Sequence, residues 1–353
     1  MLARPLLTLG LASAVLLAAA APVFWLRLTP GSLATIPRFP ESVRGAALLA
    51  NAGGPGALYP TQLLVDGGTA GGASSRAVLV ATRRLTTELQ RDGEVAAVEP
   101  YAPAAGRGRY RELVVVGRDP YGAPQALRFV QRLRTSLVPA ARFPAGTTAL
   151  VGGGPAQGRD FLTRAYSVFP WLVAAVLACT YLLLVRAFRS LLLPLKAIVL
   201  NVLSVAASYG MLVVVFQWVL GHAVLGWIPI FLFAILFGLS MDYEVFVVSR
   251  MREAWDGGLE TGRAVGAGLA RTGPVISAAA LIMIAAFSGF VVGRIGDLQQ
   301  FGLGLAAAVF IDATVIRLLL VPSLMRVLGR ANWWLPRWAA RPLLLEPVPL
   351  RRP

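Results

Sequence analysis

Six apolar runs, at residues 6–26, 168–185, 192–218, 227–249, 274–292 and 301–324, decide most of what this chain can become. Each is long enough to carry an α-helix across ~30 Å of hydrocarbon, where a segment must satisfy its own backbone hydrogen bonds. Hydrophobic residues make up 57% of the 353 and charged ones only 14%, more apolar surface than soluble cores of that length bury. The expected fold class is therefore an α-helical polytopic membrane protein. It has one helix (residues 1–26), an α+β domain outside the membrane (27–165), a five-helix bundle (166–326) and a basic tail (327–353).

The charge pattern orients this arrangement. Basic residues number 33 against 17 acids, a net charge of +16, and they sit between the apolar spans. That placement suits anionic lipid headgroups and argues against a nucleic-acid partner. Arginines next to short loops mark the cytoplasmic side. Arg4 precedes the first span, Arg186, Arg189 and Lys196 follow the second, and Arg250, Arg252, Arg263 and Arg271 follow the fourth. The tail adds Arg326, Arg330, Arg337, Arg341, Arg351 and Arg352, whereas the opposite short loops hold only Arg294. Both termini are expected inside the plasma (inner) membrane and the α+β domain outside. A cleaved signal peptide is the rival reading of the first span and leaves the domain on the same side. A single cysteine, Cys179, and a single histidine, His222, give no basis for a disulfide, a metal site or a haem cofactor. The absence of a G-x-x-x-x-G-K-[ST] loop leaves ATP without a site.

The outer domain reads as βαβ twice. YPTQLLVD (59–66) alternates as a strand, residues 74–90 have helical spacing behind a serine, and EVAAVEPY (94–101) is a second strand. RELVVVGRD (111–119), residues 123–137 and TTALVGG (147–153) repeat that order, the ferredoxin-like pattern. The segments GGPG, GGTAGG and GGGP fall between these elements, none opening a helix directly after a strand in the G-x-G-x-x-G manner, and are expected to be turns rather than nucleotide loops.

FGLSMDYEVFVVSR (237–250) places Asp242, Tyr243 and Glu244 inside the fourth span. A carboxylate near the bilayer centre costs about 2.5–3.5 kcal/mol, so a site, partner or proton must offset it. Gly238 lies one turn earlier on the same face and suits close approach of another helix. Glu244 is two residues on, toward the opposite side. The last span repeats the anomaly with Asp312 and Arg317, for which a merely structural ion pair is the plain alternative. A tyrosine next to an intramembrane acid gains a role beyond packing, since its hydroxyl donates to carboxylates and passes protons.

At these residues the chain resembles the MMPL family of the resistance-nodulation-division (RND) superfamily. GLSMDYEVF with the following SR carries the likeness, as do residues 268–290, 301–329, NWWLPRW (332–338) and RFPESVRGAALLANAGGPG (38–56). The resemblance implies no enzyme. It implies a proton-driven exporter of lipids or other hydrophobic molecules, with Asp242 and Tyr243 in the proton relay and Asp312 and Arg317 as relay or gating partners. Family members pair two such halves, and the DYEVF wording resembles the second. The chain is thus read as a half-transporter or a fragment, needing a second half as a copy of itself or a separate chain. A non-transporting membrane partner or scaffold, and an intramembrane aspartyl protease using Asp242 and Asp312, are the alternatives. No motif names the substrate.

Overall fold

A computed structural model of the chain describes residues 5–31, 40–101 and 108–340. It forms two compact units, Leu28–Ser167 and the residues on either side of that stretch. In chain order the elements are α1 (Pro5–Ala20), β1 (Leu28–Thr29), α2 (Glu41–Gly53), β2 (Thr61–Asp66), α3 (Arg76–Arg91), β3 (Val95–Tyr101), β4 (Tyr110–Gly117), α4 (Pro124–Arg132), α5 (Val138–Ala140) and β5 (Thr148–Gly153). The long helices then follow: α6 (Gly154–Phe188), α7 (Leu192–Leu212), α8 (Ile228–Asp256), α9 (Thr261–Val292), α10 (Gly296–Ile311) and α11 (Val321–Leu328).

Within Leu28–Ser167, the four antiparallel strands run in the order β3-β4-β2-β5. Leu63 and Val65 point inward while Gln62 and Leu64 stay exposed, the period-2 pattern of a strand with one wet face. Leu63 sits opposite Leu113 on one side and Val151 on the other, which makes a layer across three strands. Val78, Leu85 and Leu89 of α3 and Phe129 and Val130 of α4 close over that layer. Burying each such side chain contributes roughly 1.5–3 kcal/mol. The hydroxyl of Ser75 caps α3 by accepting from the Val78 N–H at 3.4 Å. One expectation is corrected here: GGGP does join strand to helix. β5 ends at Gly153, whose φ of +85° only glycine adopts readily, and α6 begins at Gly154.

Six helices are long and apolar enough to cross a membrane: Pro5–Trp25, Gly154–Phe188, Leu192–Val219, Ile228–Asp256, Thr261–Val292 and Gly296–Trp333. Gly154–Phe188, Ile228–Asp256, Thr261–Val292 and Gly296–Trp333 run longer than the apolar runs within them because their more polar ends continue the helix. Half of the most apolar window is buried in Leu192–Val219 and Gly296–Trp333, against 11% in Gly154–Phe188 and Thr261–Val292. The third and sixth helices therefore form the bundle's centre. Small residues let them meet, as expected where packing rather than hydrophobicity drives association. Ser208 on α7 donates to the Gly304 carbonyl of α10 at 2.7 Å, and on the other side of α10 a Cβ on Gly302 would stand 2.7 Å from the Phe287 carbonyl oxygen of α9. A Cβ on Gly210 would strike the Ala19 carbonyl, so α1 lies flush on α7.

Part of the segment expected as a tail from residue 327 is packed into the bundle, around residues 332–335. Trp333 and Leu335 are fully buried, and Ser190 donates to the Asn332 carbonyl at 2.6 Å. Trp255 and Trp333 stack with centroids 5.1 Å apart, and the Arg252 guanidinium lies 5.4 Å from the Trp333 ring. The remainder of the expected tail, 341–353, lies outside the described residues, as does Arg4. Lys196, counted among the charges that follow the second span, lies in the first turns of α7 and is buried, its ammonium turned toward Met325 and Asn332.

Candidate functional site

The last transmembrane helix changes pitch at its charged residues. Between α10 and α11, Asp312–Leu320 is a π-helical segment whose far end is closed by the Val321 N–H donating to the Ile316 carbonyl. Such widened turns cost regular hydrogen bonding and recur at functional sites. Here the wider turn brings residues five apart onto one face. Arg317 donates from Nε to Asp312 Oδ2 at 2.9 Å and from Nη2 to the same oxygen at 2.8 Å. Nη2 also donates to the Ser240 carbonyl of α8 at 2.8 Å, and the guanidinium lies 5.1 Å from the Tyr243 ring centroid. The side chains of Arg317 and Asp312 are only 9% and 14% exposed. Either charge alone at this depth would cost several kcal/mol; paired, and shared with a carbonyl and an aromatic face, the two largely offset one another.

A cavity of about 20 Å³ opens beside the pair. Asn201 and Ser204 of α7, Ser240 and Tyr243 of α8, Met283 of α9 and Asp312 form its polar and sulfur-bearing wall. Asn201 Nδ2 donates to the Phe237 carbonyl at 3.5 Å, but its Oδ1 is buried without a partner. A void of this size admits about one water, and the orphan amide oxygen gives that water a reason to be there. Tyr243 directs its hydroxyl to Met283 Sδ at 3.7 Å, a weak acceptor that leaves the phenol free to exchange partners.

The expected site residues divide in two. Tyr243, Asp312 and Arg317 are brought together. Asp242 and Gly238 are not with them: both are exposed on another face of α8, and nothing in this chain lies within 4 Å of a Cβ placed on Gly238. Asp242 and Asp312 thus form no carboxylate dyad, so the geometry an aspartyl protease requires is missing among the described residues. The close approach expected at Gly238 is not made by this chain. Two groups missed by the sequence reading complete the interior. Glu244 shares a second void with Asp312 and Arg317, and buried Lys196 donates to Asn332 Oδ1 at 3.3 Å and to Met325 Sδ. The signal for Glu244 was its position one turn after Ser240, on the stripe of Phe237, Met241 and Val248 that the bundle buries.

Fold and site together define a class: a multi-span membrane protein with a paired acid and base held among four transmembrane helices. The MMPL family model matches residues 61–346, and the chain belongs to the MMPL family. It is 38% identical to the heme uptake protein MmpL11 of Mycobacterium tuberculosis, over 99% of this chain and 36% of the relative. It is 34% identical to the mycolic acid-containing lipids exporter MmpL11 of Mycolicibacterium smegmatis, over 99% of this chain and 37% of that one. It is 40% identical to the trehalose monomycolate exporter MmpL3 of Mycobacterium tuberculosis, over 56% of this chain and 22% of that protein. The chain spans about a third of the length of the MmpL11 relatives it matches.

Proposed function

We propose that this bundle couples downhill proton movement to export of a lipid or similarly hydrophobic molecule at the plasma membrane, as one of two paired bundles. The observation that carries this reading is the buried Asp312–Arg317 pair beside Tyr243 and a water-sized cavity. With Asp312 ionised the pair is neutral and closed. A proton on Asp312 discharges it, frees the guanidinium and favours a different packing of α8 against the last helix, which is how a carboxylate in a bundle turns protonation into motion. Family membership supports transport over catalysis, and the relatives named as a mycolic acid-containing lipids exporter and a trehalose monomycolate exporter support export of a lipid.

The second bundle is inferred from the other acid. Asp242, exposed on α8, would face hydrocarbon at a cost of about 2.5–3.5 kcal/mol unless another helix covers it. Gly238, one turn away and equally bare, gives that helix room. In this reading Asp242 and Tyr243 belong to a relay completed across the seam, whether the second bundle is another copy or another polypeptide segment. The Leu28–Ser167 unit is read as ferredoxin-like, supported by its βαββαβ order and the strand order β3-β4-β2-β5, and as extracytoplasmic, supported by the arginines beside the short loops of the opposite side. The test is transport of a fluorescent lipid by membrane vesicles under an imposed pH gradient. The gradient should drive accumulation and a protonophore should abolish it; accumulation indifferent to the protonophore would remove proton coupling.

A further inference from the structure

Of the three polar residues that interrupt α8, Glu244 is the one whose carboxylate the bundle encloses away from the first cavity. Its Oε1 is shielded from solvent and has no hydrogen-bond partner, and Arg317 Nη1 is in the same condition. The two residues that carry this orphan acceptor and this orphan donor line one void of about 10 Å³, whose wall also contains Asp312 and is otherwise valine and isoleucine. That is close to the least space a water occupies, and a water there would accept from Arg317 Nη1 and donate to Glu244 Oε1. Asp312 and Arg317 line both voids, so the pair is a partition with Asn201, Ser240 and Tyr243 on one side and Glu244 on the other. Along α8 the second void lies one turn, about 6 Å, past the first.

We propose that Glu244 is a second proton-carrying carboxylate, joined to Asp312 by one bridging water. The proposal rests on the relay reading of Asp312 and extends its path by one step. An O–H bond breaks on protonated Asp312 as the water takes that proton, and the water's own proton forms an O–H bond on Glu244. Asp312 ends ionised, Glu244 neutral and the water unchanged. The charged groups facing Glu244 are Lys196 from α7 and Asp312 and Arg317 from the last helix. Lys196 directs its ammonium to Asn332 and Met325 and makes no ion pair with Glu244, so the carboxylate has a cation nearby without being locked to it. A glutamate kept only for charge balance would turn its oxygens to protein donors; this one lines a void and leaves Oε1 buried without a donor.

The experiment is infrared difference spectroscopy of the active assembly in lipid across a pH titration, with proton flux measured on the same preparation. Glu244→Gln should remove a titrating protonated-carboxyl band and cut coupled flux roughly a hundredfold; Glu244→Asp should retain both. Should Glu244→Gln fold poorly, glutamate carbonyl isotope labelling of the unaltered chain must shift the band. A band that survives Glu244→Gln or ignores the label overturns the proposal. Full flux in Glu244→Gln with flux lost in Asp312→Asn overturns it too, while leaving the relay reading in place. Full flux in Asp312→Asn would instead remove the relay reading itself.

Discussion

Arg317 and Asp312 lie five residues apart in one π-helical turn with charged atoms 2.8 Å from each other, and both side chains are turned into the bundle. An ion pair within one segment does not tie helices together by itself. Its link to α8 runs through the Arg317 bond to the Ser240 carbonyl and the stack on Tyr243, and those are the contacts that protonation of Asp312 would loosen.

Removing one partner of this pair should be worse than removing both. Arg317→Leu leaves an uncompensated buried carboxylate and is expected to destabilise by about 3–5 kcal/mol, whereas Asp312→Leu with Arg317→Leu should recover much of that loss. Thermal unfolding in detergent reads the difference. Equal losses for single and double variants would show that the two charges are not coupled.

Two glycines should respond in opposite ways. Gly302→Val places a Cβ against Phe290 Cβ and the Phe287 carbonyl oxygen, at 2.6 and 2.7 Å, and overpacking of that kind costs about 1–3 kcal/mol. Gly238→Val meets nothing within 4 Å and should leave the thermal stability of the chain unchanged while blocking cross-links between bundles through α8. Undisturbed cross-linking in Gly238→Val would place the seam elsewhere.

Much of this was legible because a bilayer simplifies the reading. Apolar length gave the six spans, and alternation around Leu63 and Val65 gave the sheet. Asp312 and Arg317 stood out because charges in an apolar run are costly. The rotation of α8 was not legible. Residues two apart on a helix differ by about 200°, so Asp242 and Glu244 had to face different ways, but nothing local said which way was inward. Asp242 was singled out as the relay acid, and Glu244 was placed only toward the opposite side of the helix. Lys196 was missed for a related reason: near a helix end a lysine suits the headgroups, and only the packing of Met325 and Asn332 around it shows that it turns inward. The π-helical widening at Asp312 has no sequence signature of its own.

Topology is checked independently of the site. Reporters fused after residues 120 and 296 should be external, and those after 190 and 258 cytoplasmic. An external signal at 258 would reverse α8 and α9 and, with them, the direction of the proton path.

In the Leu28–Ser167 unit, Asp66 accepts from Arg109 Nε at 2.7 Å and from the Gly68 N–H at 2.9 Å, and the Arg109 guanidinium chiefly holds its carboxyl below the ordinary value of 3.8. A carboxylate with a depressed folded value contributes stability that is present above 3.8 and lost as pH falls through the lower folded value, so nothing should change near neutrality. Carboxyl NMR of the full chain should place the Asp66 midpoint below 3.8, rising toward it in Arg109→Gln. An unchanged midpoint in that variant would assign the shift to the Gly68 N–H instead.

The central claim is that protonation of Asp312 drives the cycle, and the most direct measurement is proton flux into lipid vesicles holding the active assembly under a fixed pH gradient and saturating cargo. Asp312→Asn keeps the shape of the side chain and removes its titrating proton, so coupled flux should fall at least a hundredfold with assembly and insertion intact. Undiminished flux through that variant would contradict the account and leave the Asp312–Arg317 pair a structural clasp.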